Sequence, residues 1–172
     1  MDAEIQLRAI ADIVRVIDVE IWLRGGWAMD FFLGEVTRPH GDIDFFCRVP
    51  DAERVVGLLR GLGYRESAGP PPDLQRDLLG PGGLEVQVTL LGQDSDGCPT
   101  VPGGPPAGGR WPADLLHGPV GRIGDVTCRI VSPRAQIEIK KMMPIWVPGM
   151  PRREKDAQDI ARLQAALTPD PT

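Results

Sequence analysis

Two aspartates one residue apart, Asp42 and Asp44, stand at the head of an apolar run, Ile43 to Val49, with the composition of a β-strand. Alternation along a strand puts both carboxylates on one face, about 7 Å apart along the backbone, while Ile43 and Phe45 point the other way. Two like charges so placed repel unless a cation sits between them. A hard divalent ion with oxygen ligands, such as Mg²⁺ carried in by a nucleoside triphosphate, answers that need. An Asp-x-Asp pair alone is also common on solvated strand edges. Upstream, however, Gly25-Gly26 opens a short apolar helix, Trp27 to Leu33. A helix N-terminus that begins with glycines turns free backbone N–H groups toward an anion and carries no Cβ to hold phosphates away. It lacks both the lysine of a P-loop and the spacing of a dinucleotide-binding turn. A phosphate cradle followed by paired carboxylates on the next strand is a narrower combination than either part.

These residues also carry a resemblance. Gly25-Gly26-Trp27-Ala28 with Asp30, Leu33-Gly34, Thr37-Arg38 with His40, and Asp42-Ile43-Asp44 resemble the signature of the DNA-polymerase-beta-type nucleotidyltransferase superfamily, and within it the minimal enzymes that modify aminoglycosides and lincosamides. Ser132-Pro133 with Lys140 and Lys141, and Arg153, Lys155, Asp156, Asp159 and Ile160, are similar to the family's C-terminal helices more loosely. The resemblance implies an α+β nucleotidyltransferase fold: a mixed, antiparallel-rich sheet flanked by helices. It places a catalytic core in residues 1–131 and a C-terminal helical segment in residues 132–172 that completes the cleft. It further implies Asp42 and Asp44 as ligands of two Mg²⁺ ions, Gly25 and Gly26 holding the triphosphate of ATP or another nucleotide, and Arg38 with Lys140 or Lys141 as phosphate partners. Asp30 and His40 support the site. In the implied reaction a small-molecule hydroxyl attacks the α-phosphate and pyrophosphate leaves, with catalysis residing in positioning and electrostatics.

One position departs from the pattern. The family carries a third carboxylate on a neighbouring strand, and the matching place in Val86-Gln87-Val88 is Gln87, which cannot take a proton or neutralise a cation. Glu85 lies two residues earlier on the same face and is the alternative carboxylate. This departure motivates one alternative, a nucleotide-binding or interaction protein with impaired catalysis; another keeps the fold and changes the acceptor, a nucleotidyltransferase acting on a partner protein.

The elements that must position these groups are legible from periodicity. Ile5, Ile10, Ile13, Val14 and Ile17 predict an amphipathic helix over 3–19, and Ile21-Trp22-Leu23 a buried strand. Gly34 suits the left-handed cap of the short helix. Asp51 is the expected N-cap of a helix carrying Val55, Val56, Leu58, Leu59 and Leu62. Leu74–Leu79 and Leu84–Leu91 predict two antiparallel strands, Gln93–Gly109 a long irregular loop, and 120–131 a hairpin turning at Gly124-Asp125. Ser132-Pro133 starts a helix through Met143, a linker is expected over 144–151, and a last helix over 152–167.

Composition narrows the partners. A net charge of −5 argues against gripping long nucleic acid, which needs surplus Lys and Arg, and 5% aromatics leaves little for base stacking. No run of about eighteen apolar residues exists, so no membrane span is expected, and the acidic N-terminus points to a cytoplasmic protein. The three cysteines, Cys47, Cys98 and Cys128, lack metal-ligand spacing and read as reduced packing residues. Asp73, Asp77, Asp94 and Asp96 are a candidate acidic patch for a polycationic acceptor. The size of the chain leaves a one-sided cleft that a homodimer would complete.

Overall fold

Helix α1 (Ala3–Val16) begins where Asp2 accepts a hydrogen bond from the Glu4 N–H at 2.9 Å. Strand β1 (Ile21–Arg24) runs directly into α2 (Gly25–Leu33), and Gly34, at φ 82°, closes that helix in the left-handed conformation. Strand β2 (Ile43–Arg48) leads through a 3-10 turn into α3 (Ala52–Gly61). Then come β3 (Arg65–Glu66), β4 (Gln75–Leu79), β5 (Glu85–Gln93), β6 (Pro99–Thr100) and the hairpin β7 (Val120–Ile123) and β8 (Val126–Arg129). Helices α4 (Pro133–Trp146) and α5 (Glu154–Leu167) end the chain. The computed structural model describes residues 2–147 and 149–168, so Pro148 of the expected linker and residues 169–172 of the C-terminal segment lie outside the described residues.

The main sheet has the order β1-β2-β5-β4-β3, with β6 against the far end of β5. Only β2 and β5 run parallel; the β1–β2, β5–β4 and β4–β3 pairs are antiparallel, which makes the mixed, antiparallel-rich sheet. Register sets the site. Arg24 lies opposite Asp44, Asp44 opposite Gln87, and Gln87 opposite Asp77, so one row across four strands points to a single face. Leu23, Phe45 and Val88, one residue away on each strand, are turned to the other face and fully buried. The hairpin β7–β8 packs on α2, and Ile130 bridges to Leu23.

Four local expectations are corrected. Ile5 is exposed, and the buried position beside it is Gln6, whose side chain accepts from Trp27 Nε1 and donates to the His40 carbonyl. Asp51 makes no side-chain cap, because the 3-10 turn Val49–Asp51 already delivers the chain into α3. The loop 93–109 contains β6, and β5 extends to Gln93 to pair with it. Finally, α4 does not stop at Met143. Pro144 lies inside the helix, and Val147 N–H still reaches the Met143 carbonyl at 2.9 Å, so losing one donor does not end it.

Helix α5 is anchored by Leu163, which is fully buried, and packs on α4 and α2. Truncation there leaves a cavity that the helix cannot close without moving. Leu163→Ala is expected to lower unfolding free energy by about 2–5 kcal/mol, read from the shift of the urea midpoint at unchanged slope.

Candidate functional site

A cleft of about 280 Å³ opens where β1 meets α2. Gly25, Gly26, Asp42, Asp44 and Gln87 line it on the sheet side, and Lys140, Met143, Arg153, Lys155 and Asp156 on the side of α4 and α5. The first-turn N–H groups of α2 have no intrahelical acceptor, and Arg24 at the N-cap supplies no side-chain bond to them. Gly25, at φ 68°, sits so close to Asp44 that a Cβ there would lie 2.7 Å from its Oδ2. The glycine therefore lets helix start and carboxylate share one place.

Burial pushes the Asp44 carboxyl above its ordinary value; the Arg24 guanidinium opposes this and the charge of Asp42 adds to it. Arg24 in turn is drawn down by burial and held up by Asp44 and Asp42. Its Nη1 donates to Thr89 Oγ1 at 2.8 Å, and the guanidinium carbon lies 4.4 Å from the centre of the Phe46 ring.

A second layer fixes the loop between α2 and β2. Asp30, fully buried, accepts from the Thr37 hydroxyl at 2.6 Å and the Thr37 N–H at 3.1 Å. His40 Nε2 lies 2.6 Å from Asp30 Oδ2, and Arg38 Nη1 lies 3.0 Å from His40 Nδ1. Guanidinium nitrogens only donate, so Nδ1 is the acceptor and the ring proton sits on Nε2, directed at Asp30. Arg38 and His40 pass directly over Gly26: a Cβ there would overlap the His40 ring and approach Arg38 Nη2 to 2.7 Å.

Arg38 also ties the loop to α5. Its Nε and Nη2 donate to the two carboxylate oxygens of Asp159 at 3.1 and 2.8 Å, a bidentate pair. Lys140 Nζ donates to Asp159 Oδ2 at 3.0 Å and to Asp156 Oδ1 at 3.2 Å, and Arg153 pairs with Asp156. Burial raises the carboxyls of Asp156 and Asp159, but their cationic partners outweigh it and hold both below the ordinary value. The hydrogen bond to Asp159 likewise raises Arg38.

With this geometry in view, the likeness to known proteins is informative. The family model of aminoglycoside-2''-adenylyltransferases matches residues 6–163. The chain belongs to this family. Solved structures agree on the fold. A lincosamide antibiotic adenylyltransferase, LnuA, solved with lincomycin bound, is 24% identical with a TM-score of 0.71 and covers 95% of this chain and 98% of its own. ANT(2'')-Ia in complex with adenylyl-2''-tobramycin is 21% identical with a TM-score of 0.76, over 95% and 90% of the two chains. A putative nucleotidyltransferase from Thermotoga maritima, 14% identical, has a TM-score of 0.56 over 96% of each chain. No curated protein sequence gives a significant match.

Against this adenylyltransferase-family frame, the cleft gathers Gly25, Gly26, Arg38, His40, Asp42, Asp44, Gln87 and Lys140. Three expected residues lie elsewhere. Asp30 is buried beneath the loop, Lys141 is exposed on α4 outside the cleft, and Glu85 is exposed at the start of β5. Glu85 lines a separate shallow depression with Ser67 and Asp77, which shares Gln87 with the cleft. Arg24, Arg153 and Lys155 line the cleft without having been expected there; the signal for the last two was the spacing of charges at the head of α5, while Arg24 had none beyond preceding the glycines. Asp94 and Asp96 are engaged by Arg110, which takes them out of the acidic patch. Cys47 and Cys128 are buried and their thiols pushed up to about 12, as suits packing residues. No helix among the described residues is long and apolar enough to cross a membrane.

Two measurements test this arrangement. Because the folded values of Asp156 and Asp159 are depressed, the stability they contribute is fully present above the unfolded carboxylate value of about 3.9 and is lost as pH falls through the folded values. The unfolding free energy of the wild type, from urea titration, is expected to exceed that of Asp159→Asn by about 3–5 kcal/mol at neutral pH, a gap that closes in acid. Gly26→Ala is expected to displace Arg38 and His40 and weaken nucleotide binding about tenfold or more, measured by calorimetric titration.

Proposed function

We propose that this chain transfers AMP from ATP to a hydroxyl of a small antibiotic of the aminoglycoside or lincosamide type, in the cytoplasm, with Mg²⁺ as the metal. The observation that carries the reading is the meeting of Asp42 and Asp44 with the open N-terminus of α2 in one cleft. The donor set suits Mg²⁺: two carboxylates in a cleft that burial makes unfavourable for uncompensated negative charge. Mg²⁺ is commonly held by one or two carboxylates, with phosphates and water completing its shell. Among the described residues no group of three or more His, Cys, Asp or Glu side chains is placed to hold a metal. When bound, the ion supplies Lewis-acid stabilisation of charge on the phosphoryl oxygens.

The chain's own residues do the remainder. The N–H groups at the start of α2 and the cations Lys140, Lys155 and Arg38 receive the triphosphate and orient its α-phosphorus. The acceptor enters from the side of β4 and β5, where Asp77 and Glu85 offer negative charge to amino groups. The acceptor oxygen forms a bond to the α-phosphorus as the bond to the β-phosphate oxygen breaks, and pyrophosphate leaves. Gln87 cannot take the hydroxyl proton, and Glu85 stands outside the cleft, so the proton passes to solvent water at the open side.

Gln87 also motivates a second reading, a protein that binds nucleotide without turnover. Incubation with Mg-ATP and a panel of aminoglycosides and lincosamides separates the two. The transferase is expected to release pyrophosphate and add one AMP to an antibiotic, with Asp42→Asn lowering the rate at least about a hundredfold. Nucleotide binding with no release above that of the variant selects the second reading.

A further inference from the structure

The hydrogen bonds around Gln87 run in one direction, and that direction has chemical content. Arg24 only donates, so Thr89 Oγ1 is its acceptor at 2.8 Å. The single Thr89 proton then goes to Gln75 Oε1 at 3.0 Å. Gln75 is left with its Nε2 as donor, which reaches Asp77 Oδ1 at 2.7 Å and Gln87 Oε1 at 3.2 Å. Gln87 therefore presents its own Nε2 to Asp42 Oδ2, at 3.4 Å. The Asp77 carboxylate only accepts, so the nitrogen of Gln75 must face it, and that nitrogen in turn sets the carbonyl of Gln87 toward Gln75. The carbonyl oxygen of Gln87, its one atom able to ligate a metal ion, is turned away and occupied; an N–H donor faces the carboxylates instead.

Arg24 stands in the same row. It lies opposite Asp44 in the β1–β2 register, as Gln87 does on the other side in the β2–β5 register, and it lines the cleft. Its guanidinium is held by Thr89 and by the Phe46 ring. A second metal ion beside Asp42 and Asp44 would thus meet a guanidinium held by Thr89 and Phe46 and an amide donor, and among the described residues would find no third carboxylate grouped with them. One divalent ion balances the charge of the two aspartates, and the Arg24 guanidinium already supplies fixed positive charge in the same cleft for the nucleotide phosphates.

We propose that this chain loads a single divalent ion, held by Asp42 and Asp44 with the nucleotide, and that Arg24 is the second, permanent cation of the centre. The inference rests on the nucleotidyltransferase reading of the cleft, and it assigns Arg24 a positioning role beyond packing on Phe46. It also explains how glutamine is tolerated at position 87: a carboxylate there would be drawn to Arg24.

Mn²⁺ titration followed by electron paramagnetic resonance counts the ions directly, in the presence of saturating α,β-methylene-ATP, which cannot transfer AMP. The wild type is expected to bind one Mn²⁺ per chain, and Gln87→Asp alone also one, because Arg24 pairs with the new carboxylate. The double variant Arg24→Gln with Gln87→Asp is expected to bind two. Two ions on the wild type or on Gln87→Asp overturn the proposal while leaving the transferase reading intact, as does one ion on a folded double variant. Failure of the analogue to bind the wild type removes both. If the double variant does not fold, the wild-type count still decides.

Discussion

The carboxylate of Asp159 is the point on which the cleft closes. It has no exposed surface, and it is shared between the guanidinium of Arg38, in the loop before β2, and the ammonium of Lys140, on α4. A buried carboxylate with one partner removed would be left uncompensated in a poorly solvated place, so the three elements that meet there stay together or separate together. Asp156 repeats the arrangement one turn earlier with Lys140 and Arg153. The two acids thus hold the cations Arg38, Lys140 and Arg153 against a sheet face that carries two aspartates, and the cleft is the space between.

The site consequently has two halves with different origins. The sheet half is built by register: Arg24, Asp44, Gln87 and Asp77 fall in one row because β2 pairs with β1 on one side and with β5 on the other. The helical half is built by ion pairing over α4 and α5. The loop carrying Arg38 and His40 joins them, and it lies flat on α2 only because Gly26 has no side chain to hold it off. Gly25 performs the matching service for Asp44. The two glycines that read in the sequence as a phosphate cradle are, in the fold, also the spacers that let both halves converge.

Much of the sheet half was legible. Glycine pair, apolar helix, left-handed cap and Asp-x-Asp lie within twenty or so residues, and local spacing suffices to read them. The helical half was legible only as charges at helical spacing near α5. Arg38 and Asp159 are 121 positions apart, and Arg24 and Thr89 are 65 apart. No local pattern marks such pairs. Glu85 shows the converse limit: period-two alternation puts it on the face of Gln87, with which it shares a depression, but the two-residue step along β5 leaves it outside the cleft. Pro144 and Asp51 misled for a related reason, since each is a local signal that the surrounding helix geometry overrode.

By itself, the sequence determined the kinds of element, the family, and the residue types that can meet a nucleotide and a divalent ion. These depend on side-chain periodicity, turn chemistry and motif spacing, all of which act over a few residues. Only the tertiary structure decided which cations are engaged by carboxylates, that Lys140 and not Lys141 faces the cleft, and that the amide of Gln87 turns its N–H toward Asp42. Those outcomes depend on strand register and on hydrogen-bond partners brought together from distant parts of the chain, and they exist only once the sheet and the last two helices have packed.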